Sequence, residues 1–406
     1  MNKKESLFAL VTITVILCML LMAGCDNNTT APPASQQNTP TGQAPQTNPT
    51  NNTQANDALK GLTQQAFDEL TDILKTAQTY PVFDPSGPAY DIRAALSGKT
   101  WLTIPLGTNN QFTLGICTMM QEIGKKIGMD VKIWENQGEV SEWIQGVENA
   151  PLLGANIVDL VAGPNPYYMV AQIEYLQSLG IVVQASHFSD VVQDVDHVTT
   201  NAGAPYAEGG KLMADWVIHK GGADVNVVIL TSDDVPSAKI MCDTIEAEFV
   251  KYAPNAKRVY TNIALIDWAT KIEIETLTAV QRDKNLDYII VLYDPMLQFV
   301  VPALEMAGVQ DKVKCLGYNG TPFVIDWIRE GKVEMTVGEN LDWIAHAIVD
   351  TAGRHLSGLD VPKDTKIPLY IWSVENAKEA GIPAEYSTGY GDVYINGYNQ
   401  MWMLDK

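Results

Sequence analysis

From Gly98 onward the chain alternates short apolar runs with longer amphipathic ones, and this rhythm constrains the fold more than any other feature. The pattern predicts strands at 101–106, 130–134, 157–161 and 181–185, then near 226–231, 257–262, 288–292, 313–317 and 333–337. Between them it predicts helices near 111–127, 140–151 and 167–179, then 205–219, 237–252, 268–283, 296–307, 322–330 and 342–356. Strands separated by helices of this length imply right-handed βαβ units and parallel sheets. Val227-Val-Ile-Leu230 and Tyr288-Ile-Ile-Val-Leu292 are apolar without alternation, as strands covered on both faces should be. One sheet of so many strands would be very wide, so two lobes of about five strands with a crevice between them are expected. The loops at the carboxyl ends of parallel strands gather at one edge, where open α/β sheets bind ligands.

The amino end carries a different message. Lys3 and Lys4 precede an apolar run from Leu7 to Met22, which ends in Leu21-Met-Ala-Gly-Cys25. A basic start, a short apolar stretch and small residues describe a secretory signal rather than a membrane span. The last residues resemble the lipobox of bacterial lipoproteins, which implies lipidation of Cys25 after removal of residues 1–24. Residues 25–57 are mostly Asn, Thr, Pro, Gln, Ala and Ser, and cannot bury enough apolar surface to offset ordering, so they read as a disordered tether. Leu59, Leu62, Ala66, Leu70, Ile73 and Ala77 then recur at helical spacing, and Pro81, Pro85 and Pro88 stiffen the segment after them. Residues 58–98 are therefore expected to form a helical extension packed along the outside of the repeating fold.

The formal charge is −21. Removing residues 1–24 takes away two basic side chains and one acidic one, leaving −22. Such a field makes nucleic acid and anionic membrane surfaces poor partners. Beyond Cys25 only Cys117, Cys242 and Cys315 remain, without regular spacing; they read as buried free thiols, with a single disulfide as the alternative, rather than as a disulfide framework. No CxxC, HExxH, GxSxG or GxxxxGK[ST] occurs, so no metal, cofactor or catalytic nucleophile is expected.

From Thr100 to about Pro368 the chain resembles the type I periplasmic solute-binding proteins, the ribose-binding and related sugar-binding components of ABC importers. The marks are Gly107-Thr-Asn-Asn-Gln-Phe112 after the first strand, and the apolar-Gly-Ala-Asn-apolar pattern within Ala150 to Ala162. Glu208-Gly-Gly-Lys-Leu-Met-Ala-Asp-Trp216 and Leu292-Tyr-Asp-Pro-Met296 stand in the second lobe. Gly317-Tyr-Asn-Gly-Thr-Pro322 and Gly331-Lys-Val-Glu-Met-Thr-Val337 complete the set, and Pro81 to Ala89 looks like the lead-in of a lipoprotein subgroup. The resemblance implies 99–200 with 340–366 as lobe 1, 201–339 with 367–406 as lobe 2, and a three-crossing hinge. The lactose-repressor family shares this fold, but its DNA-binding helix-turn-helix is replaced here by a signal and a tether.

A neutral sugar needs amides and carboxylates for its hydroxyls and flat rings for its C–H faces. The predicted strand ends supply Asn109, Asn110, Phe112, Asn165 and His187 in lobe 1, and Trp268, Tyr293, Asp294, Asn319 and Glu339 in lobe 2. Each also has a plain structural use: the Asn residues and Asp294 as helix caps or turn residues, Trp268 as core, His187 as a solvated loop residue. In the ribose-binding pattern an Asp-Arg pair follows the fourth strand and another Arg opens a second-lobe helix; here His187-Phe188 and about Met241 stand there. Without those forks ribose is not expected, and a different neutral polyol or an amine-bearing ligand suits the set. The implied function is that of an extracytoplasmic, lipid-anchored monomer that captures a small polar ligand, a sugar first among the candidates, by hinge closure and delivers it to an ABC permease. A ligand-presenting sensor subunit or a secreted glycoside-acting enzyme are the alternatives.

Overall fold

The computed structural model describes residues 59–405. The expected signal peptide, the acylated Cys25 and the polar tether lie outside those residues. In chain order the elements are α1 Gln64–Ala77, α2 Ile92–Leu96, β1 Thr100–Pro105, α3 Gln111–Ile127, β2 Asp130–Ile133 and α4 Val140–Asn149. Then come β3 Ile157–Val161, α5 Val170–Ser178, β4 Val182–Asp190, β5 Thr200–Ala204, α6 Tyr206–Gly221, β6 Asn226–Thr231 and α7 Ala238–Tyr252. The chain continues through β7 Lys257–Asn262, α8 Trp268–Arg282, β8 Tyr288–Val291, α9 Leu297–Ala307, β9 Lys314–Asn319 and α10 Pro322–Arg329. It ends with β10 Met335–Gly338, α11 Leu341–Leu356, β11 Tyr370–Ser373 and α12 Val393–Met401.

Two sheets result. Lobe 1 has five parallel strands in the order β2-β1-β3-β4-β5. Lobe 2 has six in the order β11-β10-β9-β8-β6-β7, parallel except for β11. Successive side chains of a strand point to opposite faces, and in lobe 1 both faces are apolar. Trp101, Ile157 and Val161 pack towards α3 and α11, while Leu102, Ile104, Val158 and Leu160 pack towards α4 and α5. Helix ends follow local chemistry: Asn110 caps α3 at its start, and Gly128 closes it at φ 83°, a conformation that a side chain would strain.

Two strands escaped the periodicity. β5 reads Thr-Asn-Ala-Gly-Ala, and β11 is four residues of an antiparallel edge. The lobe boundaries also need correction. β5 belongs to lobe 1, and the carboxyl tail is divided: β11 joins the lobe 2 sheet, whereas Tyr394, Tyr398, Met401 and Trp402 of α12 and its end pack in the core of lobe 1. The amino extension is divided too, with Leu70 and Leu74 of α1 in the lobe 2 core and Ile92 and Leu96 of α2 in that of lobe 1. The chain therefore passes between lobes five times, not three. Cys117, Cys242 and Cys315 are free thiols, the first and last fully buried.

Candidate functional site

The lobe 1 loops use their amides first to hold themselves. Asn110 Oδ1 accepts from the N–H groups of Phe112 and Thr113 at 3.0 and 3.2 Å. Asn165 Oδ1 accepts from Tyr167 N–H at 3.0 Å and caps a single 3₁₀ turn, Pro166–Tyr168. Asn109 is exposed, and its amide reaches only Gln137 Oε1 at a long 3.5 Å. Phe112 is turned inward, and its ring lies 5.3 Å from that of His187.

His187 is the centre of this side. It sits where the β4–β5 register shifts, between Ser186 and Asp190, with φ at 51°. A non-glycine residue seldom adopts that conformation without a surrounding structure that enforces it. Its ring, 3 % exposed, places Nε2 at 3.1 and 3.0 Å from the two carboxylate oxygens of Glu339. Nδ1 meets the Tyr206 hydroxyl at 2.7 Å, and that hydroxyl also lies 2.9 Å from the His187 carbonyl oxygen. Burial and the nearby Glu339 carboxylate hold the Tyr206 phenol far above its ordinary pKa. Tyr318 is wholly buried; its hydroxyl comes beside Glu339 without a well-formed hydrogen bond. Thus β4, the start of α6 and the β10–α11 crossing converge on one buried carboxylate.

Lobe 2 contributes a second group. Trp268 opens α8 and stacks on Tyr293, with centroids 6.0 Å apart and planes 23° from parallel. Its indole N–H donates to Ser232 Oγ at 2.7 Å, and the Tyr293 hydroxyl pairs with Ser237 Oγ at 2.8 Å. Asn319 sits at φ 129° with Gly320 after it, and no side-chain hydrogen bond holds it among the described residues.

Asp294 departs from the expectation. Its carboxylate is fully buried and accepts from Thr321 N–H at 2.7 Å, Thr321 Oγ1 at 2.9 Å and Thr336 Oγ1 at 2.8 Å. Burial pushes its pKa up to about 6 against those donors. The group ties β8, β9 and β10 together at their ends, which is a scaffold role.

Five of the ten residues therefore fall into two clusters, Phe112–His187–Glu339 at the crossing and Trp268–Tyr293 in lobe 2, and the other five take no part in these ring and carboxylate contacts. An open volume of about 330 Å³ is lined by Tyr167, Phe188, Ser189, Gln193, Asp194, Val195 and Asp196 from lobe 1 and Pro236 from lobe 2, and by none of the ten. Tyr206, Tyr318, Ser232 and Ser237 were not anticipated. Tyr206 had a readable signal, an aromatic residue just after Pro205 at a helix start, but nothing in the sequence linked it to His187. No arginine serves the crevice: Arg258, Arg329 and Arg354 pair with Glu246, Asp326 and Asp350, Arg282 lines a small hollow elsewhere on lobe 2, and Arg93 lies on α2. Among the described residues no cluster of His, Cys, Asp and Glu is set to hold a metal ion, and no helix is long and apolar enough to cross a membrane.

The geometry has counterparts among solved structures. A solute-binding protein of an ABC transporter from Agrobacterium vitis with bound allitol shares 17% identity, covering 70% of this chain and 98% of its own, at a TM-score of 0.61. One from Actinobacillus succinogenes 130z with bound D-allose shares 19% identity over 69% and 99%, also at 0.61. The Caulobacter myo-inositol-binding protein bound to myo-inositol shares 20% over 71% and 98%, at 0.60. At these identities the likeness establishes the fold. Among curated proteins, none matches this chain. The model of the periplasmic binding protein domain matches residues 102–360, more than half of the chain, and the protein belongs to that family.

Proposed function

We propose that this protein is an extracytoplasmic, lipid-anchored solute-binding protein that captures a small neutral sugar or polyol between its lobes and hands it to an ABC permease. The observation that carries the reading is the buried Glu339 carboxylate, held by one imidazole and walled by Phe112, Tyr206 and Tyr318, at the crossing between two sheets. An ionised carboxylate offers about four acceptor positions, and His187 supplies one N–H shared between its two oxygens. Ligand hydroxyls would fill the rest, while Trp268 and Phe112 would take the C–H faces and Asn109 and Asn319 the outer hydroxyls. The absence of arginine from the crevice disfavours anionic sugars. The allitol, D-allose and myo-inositol held by proteins of the same fold are uncharged polyols, which supports that class here.

Capture would proceed by bridging. A ligand held by both lobes favours the closed arrangement by its differential affinity for it, and micromolar binding corresponds to roughly 8 kcal/mol. No step of this requires bond cleavage. A thermal-shift screen of the full chain against hexoses, hexitols, cyclitols and small amines tests the reading. Stabilisation by an uncharged polyol is expected; stabilisation by amines alone would reassign the ligand class, and hydrolysis of a glycoside by the protein would replace capture with catalysis.

A further inference from the structure

Both ends of the described chain run from lobe 2 to lobe 1 beside the expected hinge, and each is fastened on both sides of the passage. The amino strap is held to lobe 2 by Tyr80, which donates to Glu379 Oε2 at 2.7 Å and stacks on Tyr370. Three residues later Phe83 is fixed in lobe 1, its ring 6.2 Å from Trp343 and 5.0 Å from Tyr398, filling the place where a side chain at Gly397 would stand. The carboxyl strap repeats the plan. Tyr390 accepts from the Trp372 indole in lobe 2 at 2.8 Å, and four residues later Tyr394 stacks on Trp343 at 4.7 Å and donates to Asp342 at 2.8 Å. Both straps thus end on Trp343, 1 % exposed, four residues beyond Glu339.

We propose that these straps limit how far the crevice can open. A chain reaches at most about 3.3–3.6 Å per residue, so the lobe 2 and lobe 1 anchors of the straps cannot separate beyond about 11 and 14 Å. Pro81, the first residue of this strap, fixes its own φ and removes part of the strap's slack. Opening about the three family crossings must therefore pivot close to Trp343, or pull an aromatic anchor out of its core. The inference rests on hinge opening as part of the proposed function, but its test needs no ligand.

Fluorescence labels at Tyr168→Cys and Ile266→Cys, both exposed on 3₁₀ turns of opposite lobes, would report interlobe separation by single-molecule energy transfer in the detergent-solubilised full chain with Cys242→Ser. Gly-Ser-Gly-Ser inserted between Pro81 and Val82 lengthens one strap at an exposed site; the same insertion after Gly391 lengthens the other. Each should move the open population outwards, and both together should move it by roughly 5–10 Å, within the slack that four residues provide. An unchanged separation in a folded double-insertion variant would overturn the proposal. If an insertion prevents folding, Phe83→Ala with Tyr394→Ala frees one anchor of each strap at constant chain length and should shift the same population in the same direction; no shift in that folded variant would overturn it equally. Failure of every ligand in the thermal-shift screen would count against sugar capture and leave this result standing.

Discussion

Asp294 and Glu339 stand on either side of β9, at the ends of β8 and β10, and both carboxylates are buried, yet their partners differ. Asp294 is surrounded by donors from its own lobe, the Thr321 N–H and the hydroxyls of Thr321 and Thr336. Glu339 meets one imidazole N–H from the other lobe, and beside it a tyrosine hydroxyl that forms no proper bond. A buried carboxylate at a strand end is a candidate ligand group only while acceptor capacity remains open. By that criterion the Asp294 carboxylate is framework, and the proposed capture assigns the ligand to Glu339.

The largest effect is expected at Asp294. Asp294→Ala strands three buried donors and should cost about 3 kcal/mol of stability in urea unfolding. A loss below about 1 kcal/mol would return Asp294 to the ligand set. A second effect is the pH slope. Burial raises Asp294 from 3.8 to about 6, so its stabilising contribution is fully present below about pH 4 and is lost as pH rises through about 6. Asp159 and Asp215, pushed up to about 7 by burial, act with the same sign. Between pH 4 and 7 the unfolding free energy of the wild type relative to Asp294→Asn should therefore fall by about 2 kcal/mol, the contribution that Asp294 alone loses. Third, Trp268→Ala should weaken binding of the stabilising polyol by about tenfold, close to 1.4 kcal/mol by calorimetry, with the unfolding midpoint little changed. The smallest effect belongs to Asn109, exposed and loosely held, where Ala should weaken binding by about threefold or less.

Much of this molecule was legible because its strands are long apolar runs between well-spaced amphipathic helices. The helix at 111–127 was placed to the residue, since Asn110 and Gly128 punctuate it. β5 was missed because Asn and Gly dilute its signal, and β4 was cut short because His187, Ser189 and Asp190 read as loop although all are buried in the strand. Sequence placed amides, carboxylates and aromatic rings at the strand ends but could not rank them. Whether Asp294 or Glu339 keeps free acceptor capacity depends on Thr321, Thr336 and His187, which arrive from other elements. The division of both termini between lobes was invisible for a similar reason: Phe83 and Tyr394 look like any aromatic residue until Trp343 is placed between them.

The most direct measurement is native mass spectrometry of the full chain and of Glu339→Ala, each released from detergent after incubation with the polyol that gives the largest thermal shift. The account predicts one ligand mass on the wild-type protein, lost from Glu339→Ala but retained by Asp294→Asn. Equal occupancy of wild type and Glu339→Ala would contradict it, because the open carboxylate at the crossing would then play no part in capture.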